Sequence, residues 1–358
     1  MSRNRIVMVV SGFPRRSETF MLNELLALDE RGLLGAIFAT KGGDGSALHP
    51  DCHRILDKVR FLPPGSPIQQ AEAMIDALDP LDTAGVHGYF AHTPAEVASH
   101  VAGRLGVPYG FSVHALDLRK VPAEVMDWRA GKAACVIACN RDAAAEISRS
   151  GAKVKLISHG VDIDRFHPTP LTLCEPVRLL VVGRLVEKKG FHVLIEAVRR
   201  LSFPFHLRII GEGPERARLA AAIFEAGLSD RVEICGGMTH AELPGEYAKA
   251  DILVVPSIQS SSGDRDGLPN VVLEGMASGR PIIGGNIGAI GSAVVHGETG
   301  MLVPPGDASA LANTLETLVR TPGLCVRFGQ AARRRVERDF DLGACTERFC
   351  RFLETVYV

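Results

Sequence analysis

The chain alternates between short apolar runs rich in Val and Ile and longer stretches whose apolar residues recur three or four apart. The first run, residues 5–11 (RIVMVVS), stops at Gly12. Its β-branched content predicts a buried strand. From about residue 17 to 31 the period changes, and Phe20, Leu22, Leu25, Leu26 and Leu28 mark the apolar side of a helix. Strand-like runs recur at 36–40 (AIFAT), 85–91 (GVHGYFA), 109–114 (YGFSVH), 135–139 (CVIAC) and 155–158 (KLIS), with helical patterns between them. Such alternation predicts a mainly parallel sheet with helices on both faces.

The alternation breaks at 159–176 (HGVDIDRFHPTPLTLCEP), which carries Pro168, Pro170 and Pro176 and no apolar period. This segment reads as a linker. The pattern then restarts with strand-like runs at 177–183, 206–211, 232–236, 252–256 and 281–285. Helical patterns cover 189–201, 214–227, 241–249, 269–278 and 307–320, and the tail 325–358 is helical and rich in Arg. With 358 residues, the chain is too long for one ordinary core. The expected fold class is α/β: two Rossmann-like, doubly wound domains at 1–165 and 175–325, then terminal helices over 326–358. Ligands of such sheets bind outside the carboxyl ends of the strands, so the loops that follow strands carry the candidate chemistry.

Composition narrows the function. Hydrophobic residues make up 46% and charged residues 23%, which excludes disorder. A formal charge of -1 gives no footprint for nucleic acid. The eight cysteines form no C-x-x-C pair, and neither Cys135/Cys139 nor Cys345/Cys350 has zinc-finger spacing. They are expected to be reduced packing thiols. No run approaches the roughly 18 apolar residues of a membrane span. The first apolar run ends in Pro14, Arg15 and Arg16 and reads as a strand, not a signal peptide. A cytoplasmic protein is expected.

Two loops concentrate the chemistry. Gly183-Arg184-Leu185-Val186-Glu187-Lys188-Lys189-Gly190 follows a buried run and opens a helix. Cations there suit a diphosphate whose charge grows as a glycosidic bond breaks; solvated turn cations are the plain alternative. Asp266-Gly267-Leu268-Pro269-Asn270-Val271-Val272-Leu273-Glu274 places Pro269 at a helix start. Amides and the positive dipole end of that helix suit phosphate. Glu274 has the chemistry to accept both hydroxyls of a ribose. The plain reading makes Asp266 a cap and Glu274 a solvent-facing residue, although Val271, Val272, Leu273 and Met276 surround the latter.

Taken together, G-R-L-x-x-x-K-G, Gly211-Glu212-Gly213-Pro214, Asp230-Arg231-Val232, Tyr247-x-x-Ala250-Asp251, Pro256-Ser257 and the acid-x7-Glu pair resemble glycosyltransferase family 4, over nearly the whole chain. The resemblance implies the GT-B fold, with the nucleotide sugar mainly on the second domain, the acceptor mainly on the first and the site in a cleft between them. It implies a retaining transferase without a metal, with terminal helices packing back on the first domain. Arg184 and Lys189 would hold the pyrophosphate, Glu274 the ribose and Asp266 the donor-sugar hydroxyls. Amides from Leu268 to Val271, and the Gly211-Glu212-Gly213 turn, would face the donor as well. Asp266 departs from the family's Glu by one methylene.

Phe111-Ser112-Val113-His114-Ala115-Leu116-Asp117 resembles the family's T-x-H-G-x-D segment, with Ser112 and Ala115 as departures. By that resemblance His114 reaches the donor sugar, with Asp117 on the acceptor side. Gly12-Phe13-Pro14-Arg15-Arg16-Ser17-Glu18-Thr19-Phe20 resembles the loop where the family contacts acceptor and phosphate. Its S-E-T-F string looks like an exopolysaccharide-building, colanic-acid-type subset. Gly12 permits close backbone approach to phosphate, and Phe13, Arg16, Ser17 and Glu18 become acceptor candidates; Ser17 also suits a helix cap. His159-Gly160-Val161-Asp162 resembles the family's N-G-V-D hinge and is read as structural. Gly288-Ala289-Ile290-Gly291-Ser292 departs from G-G-I-P-E. His87 and His92 flank Tyr89 and Phe90 as strand-end packing or acceptor-side residues.

The expected function is therefore retaining transfer of a sugar from a UDP- or GDP-sugar to a saccharide, lipid-linked or small-molecule hydroxyl, without cofactor, metal or nucleic acid. A nicotinamide dehydrogenase is disfavoured because Gly211-x-Gly213 lacks the third glycine. A phosphorylase lacks an identifiable pyridoxal lysine, and an epimerase would need no acceptor. A catalytically dead binding subunit would not keep Arg184, Lys189, Glu274 and His114. Asp264-x-Asp266 leaves a metal open on sequence grounds. The Arg333-Arg334-Arg335 run reads as a solvated face, with weak peripheral contact to an anionic inner membrane face as the second reading.

Overall fold

The computed structural model describes residues 4–15, 18–43, 49–114, 121–148 and 151–358. The chain divides into two units: one runs up to Gly160 and takes in Gly343–Val358, the other is Val161–Leu342.

The first unit holds a seven-stranded sheet. Its strands are β1 (Arg5–Val10), β2 (Leu34–Ala39), β3 (Val59–Phe61), β4 (Thr83–Gly88), β5 (Tyr109–Val113), β6 (Cys135–Ala138) and β7 (Val154–Leu156). All pairings are parallel, in the order β3-β2-β1-β4-β5-β6-β7. Alternation along β1 explains the two-faced core. Ile6, Met8 and Val10 enter one apolar cluster, while Val7 and Val9 enter the other on the opposite face.

The second unit holds β8 (Val177–Val182), β9 (Phe205–Ile210), β10 (Val232–Gly236), β11 (Ile252–Val255), β12 (Ile282–Gly285) and β13 (Gly300–Val303). Their order is β10-β9-β8-β11-β12-β13, again parallel throughout. Val177, Leu179 and Val181 of β8 face one core cluster and Leu180 faces the other. In each sheet the winding reverses beside the first strand, between β1 and β4 and between β8 and β11. Loops at that reversal form the ligand crevice of doubly wound sheets.

Three expectations need correction. Strands β3 and β13 are not among the predicted runs; both are short edge strands, of three and four residues. The linker reading of 159–176 does not hold for its first half, because Val161 and Phe166 are buried in the second unit's core. Of the terminal helices expected to return to the first domain, only Leu342–Tyr357 does so, burying Phe349, Cys350, Leu353 and Tyr357 in the first unit's core. The preceding helix, Pro322–Asp339, stays in the second unit because Phe328, Ala332 and Val336 are buried there. None of the eight cysteines is in a disulfide.

Candidate functional site

In the second unit the loops after β8, β9, β11 and β12 are fastened into one structure. The Ile258 N–H donates to the Lys188 carbonyl at 2.8 Å, and the Leu185 N–H donates to the Glu212 carbonyl at 2.8 Å. Ser261 donates from its amide and hydroxyl to the two Glu187 oxygens, each at 2.9 Å. Two glycines permit this closeness. Gly190 has φ 67°, and a Cβ there would stand 1.9 Å from the Pro256 oxygen. Gly288 has φ 55°, and its Cβ would stand 2.1 Å from the Asp266 oxygen. No L side chain fits either position.

This frame sets two lysines against two carboxylates. Lys189 Nζ lies 2.7 Å from Asp266 Oδ2, and Lys188 Nζ lies 2.9 Å from Asp264 Oδ2 and 3.6 Å from Asp266 Oδ1. The Ser257 hydroxyl donates to Asp266 Oδ2 at 3.1 Å. Asp266 is only 8% exposed. Burial alone would raise its pKa, but Lys189, Lys188 and the Ser257 hydroxyl outweigh that and hold it below the usual carboxylate range. Both carboxylates of the D-x-D string are thus engaged by lysines. Arg184 is exposed and makes no ion pair among the described residues.

Pro269 precedes the helix Asn270–Ala277, and Gly267 and Leu268 form the approach to it. At its first turn the Val272 amide donates to the Pro269 carbonyl at 3.0 Å, and the positive end of the helix dipole lies there. Glu274, one turn in, is 5% exposed, so the solvent-facing reading fails: Val272, Leu273 and Met276 pull that helix into the core. The Tyr247 hydroxyl donates to Glu274 Oε2 at 2.7 Å. Burial, with the Glu274 charge adding, pushes the Tyr247 phenol well above its ordinary value. Glu274 Oε1 faces His240 Nε2 at 3.7 Å, too long for a hydrogen bond. Arg165 donates to His240 Nδ1 at 2.7 Å, which fixes the ring with its Nε2–H toward the carboxylate.

The Gly211-Glu212-Gly213 turn supports this frame from below. Gly211 donates to the Gly236 carbonyl at 2.8 Å, and Glu212 accepts from the Gly237 amide at 3.2 Å.

In the first unit the loop after β1 is less open than expected. The Phe13 ring is 1% exposed inside the core, so it is withdrawn from acceptor contact. Glu18 is paired with Arg15 at 3.1 Å and stands at the N-cap of helix Thr19–Glu30 without a side-chain cap bond. Gly12 lies against the loop after β2; a Cβ there would stand 2.8 Å from the Gly42 oxygen. Arg16, Ser17 and Asp117 lie outside the described residues.

His114, at the end of β5, lies among Phe20, Tyr89 and Phe90, with ring centroids 4.9–5.4 Å away. Its Nε2 is 3.2 Å from His159 Nε2. His159 is therefore more than a hinge residue. Its Nδ1 meets Glu24 Oε1 at 2.9 Å, and the other Glu24 oxygen accepts from the Tyr89 hydroxyl. Burial opposes a charged imidazole, but Glu24 and the Cys139 sulfur outweigh it and hold His159 at about 10. His87 behaves oppositely. It is fully buried on β4 between Ser112 and Tyr357, and burial, reinforced by His114, pushes it down to about 3. His92 accepts from the Thr93 amide and caps the helix Thr93–Leu105.

The arginine run is not a free face. Arg333 donates to the carbonyls of Ile163, Phe166 and Ala277 at 2.8–3.0 Å, and Arg335 donates to Ser292 at 2.9 Å. Only Arg334 of the three is exposed. Among the described residues no helix is long and apolar enough to cross a membrane.

Comparison with known proteins decides the family. The model for "Glycosyltransferase Family 4" matches residues 17–165, and that for "Glycosyl transferases group 1" matches 164–335. The chain belongs to family 4 of the group 1 glycosyltransferases. This family 4 chain is 34% identical over 206 residues to the amylovoran biosynthesis glycosyltransferase AmsK of Erwinia amylovora, a match covering 56% of this chain and 51% of that one. The chain thus spans about half the length of the first curated relatives it matches. It is 27% identical to the 2-deoxystreptamine glucosyltransferase of Streptomyces kanamyceticus, over 69% of this chain and 70% of that one. Its fold matches crystalline Anabaena Alr3699/HepE in complex with UDP at TM-score 0.82 and 18% identity, over 98% of this chain and 100% of that one. Two Rossmann-like domains of the GT-B class are thereby established.

Sequence reasoning missed Glu24, Tyr89, Cys139 and Ser257 as members of these clusters. The only local signal was negative: Glu24 stands between Leu22 and Leu25, both core residues, where a surface helix places an apolar side chain.

Proposed function

We propose that the chain is an enzyme that moves a sugar from a nucleotide-diphosphate sugar, UDP- or GDP-linked, to a hydroxyl acceptor in polysaccharide or glycolipid assembly. The observation that carries this reading is the Lys188–Lys189–Asp266 cluster beside the start of helix Asn270–Ala277, with Glu274 buried one turn in. An ammonium offers three donors. Lys189 gives one to Asp266 and keeps two for phosphate oxygens. Arg184 and the positive end of the helix dipole add to them. Each such preorganised donor stabilises the negative charge that grows on the departing nucleotide diphosphate. Glu274 Oε1 accepts from the ribose. Asp266 Oδ1, which among the described residues has only Lys188 at 3.6 Å, accepts from the donor sugar.

His114 would reach the donor sugar, and transfer would retain anomeric configuration, as in the family. No metal is needed where two lysines already neutralise charge. A small-molecule acceptor is the second reading, favoured by the likeness to the 2-deoxystreptamine enzyme.

The test is a thermal-shift screen of the full chain with UDP-, GDP-, ADP- and dTDP-sugars in the presence of chelator. Mass spectrometry with saccharide, lipid-linked and aminocyclitol acceptors then follows. A donor at a hundred times its Kd should add about 2.7 kcal/mol of stability. Absence of a shift with every donor would sink the proposal. The anomeric coupling of the product decides retention.

A further inference from the structure

We propose that His114, Cys139 and His159 form a binding site for a zinc-class transition-metal ion in the first unit. The three follow adjacent strands of one parallel sheet: His114 comes directly after β5, Cys139 directly after β6, and His159 lies in the loop after β7. The sheet order alone brings them together, and the ends of neighbouring strands are rigid places to hold ligands. One ligand atom from each, two imidazole nitrogens and the Cys139 sulfur, lies within 4.8 Å of the others.

The two Nε2 atoms are 3.2 Å apart. Two imidazole nitrogens on one tetrahedral zinc ion stand roughly 3.3 Å apart, from bond lengths of about 2.0–2.1 Å. The ion would take the place of the proton that the two rings now share, and the thiol would release its own proton to solvent. Two imidazoles and a thiolate select zinc, cobalt or copper over magnesium or calcium.

An outer shell is already in place. Glu24 Oε1 holds His159 Nδ1 at 2.9 Å, and the second Glu24 oxygen is fixed by Tyr89. A carboxylate on the far nitrogen of a ligating imidazole is the usual second-shell arrangement and sets which nitrogen faces the metal. Three protein ligands leave a fourth position open. The consequence for transfer, which rests on the function proposed above, is inhibition, because the ion would occupy His114.

The experiment is titration of the chelator-treated full chain with Co²⁺, followed by absorbance. One equivalent should produce tetrahedral visible bands and a near-ultraviolet thiolate-to-cobalt band, both displaced by Zn²⁺. Cys139→Ser should remove the near-ultraviolet band. Glu24→Gln and His159→Asn should each weaken binding at least about tenfold. No bands up to about 100 μM cobalt, or a near-ultraviolet band that survives Cys139→Ser, would overturn the proposal. Circular dichroism reports whether Cys139→Ser folds; if it does not, cobalt affinity unchanged in His159→Asn is the overturning result. In the assay, one equivalent of zinc should stop transfer and chelator restore it. Failure of transfer alone counts against the function, whereas failure of the cobalt bands counts against the metal site.

Discussion

Each unit buries a glutamate between a tyrosine hydroxyl and a histidine, and the two differ in one acceptor. In the first unit Glu24 spends both oxygens, one on Tyr89 and one on His159 at 2.9 Å. In the second, Glu274 spends only Oε2 on Tyr247 at 2.7 Å, and Oε1 stands 3.7 Å from His240. A buried carboxylate costs free energy unless its oxygens are satisfied. Glu24 is satisfied by the protein and orients a histidine. Glu274 is half satisfied by the protein and suits an incoming hydroxyl. The same residue types thus serve as scaffold in one unit and as a binding group in the other.

The sharpest way to break this contrast is in the second unit. Lys189→Ala removes the cation nearest Asp266 and should lower kcat about 10²–10³-fold, or roughly 3–4 kcal/mol, as loss of one preorganised donor does. Full activity in steady-state assays would show that the lysine serves only to neutralise Asp266. Glu274→Ala should follow, raising the donor KM by ten- to a hundredfold, since a hydrogen bond to a charged group is worth about 1.5–3 kcal/mol. A donor KM unchanged from wild type would place the ribose elsewhere.

The tyrosines sharpen the contrast through stability. Tyr89→Phe strips an oxygen of Glu24 that has no other partner among the described residues, and should cost about 1–3 kcal/mol in urea unfolding. Tyr247→Phe should cost a similar amount in the free protein. Saturating donor should raise the stability of wild type and Tyr89→Phe by the same amount and that of Tyr247→Phe by a different one, because only that carboxylate belongs to the proposed donor site. An equal rise in both variants would erase the distinction.

The two sites were unequally legible, for a physical reason. In the second unit the candidate residues lie on two contiguous stretches, 183–190 and 266–274, each a strand-to-helix loop. Local spacing sufficed to place Lys189, Asp266 and Glu274. What it could not give was their mutual pairing, because Lys189 and Asp266 meet only through the order of β8 beside β11. In the first unit Glu24, Tyr89, Cys139 and His159 are scattered over more than a hundred positions. Only sheet order collects them. Phe13 misled because a loop residue next to a motif can still point into the core. The fold itself was legible because most strands carry short apolar or β-branched runs between stretches of helical period; β3 and β13, edge strands of three and four residues, are too short to stand out.

The smallest effect is expected at His240, and it tests whether the open oxygen of Glu274 is truly open. Arg165 holds the His240 ring so that Nε2–H points at Oε1 across 3.7 Å. At that distance, with the side chain 24% exposed, the contact is partly solvated and too long for a hydrogen bond, and it contributes well under about 1 kcal/mol. His240→Asn should therefore change the donor KM by less than about threefold and leave urea stability within about 0.5 kcal/mol. If the KM instead rises tenfold or more, His240 contacts the donor itself. The second unit's triad would then match the first's in having a histidine that acts, and the contrast between scaffold and binding group would have to be drawn at the histidines rather than at the glutamates.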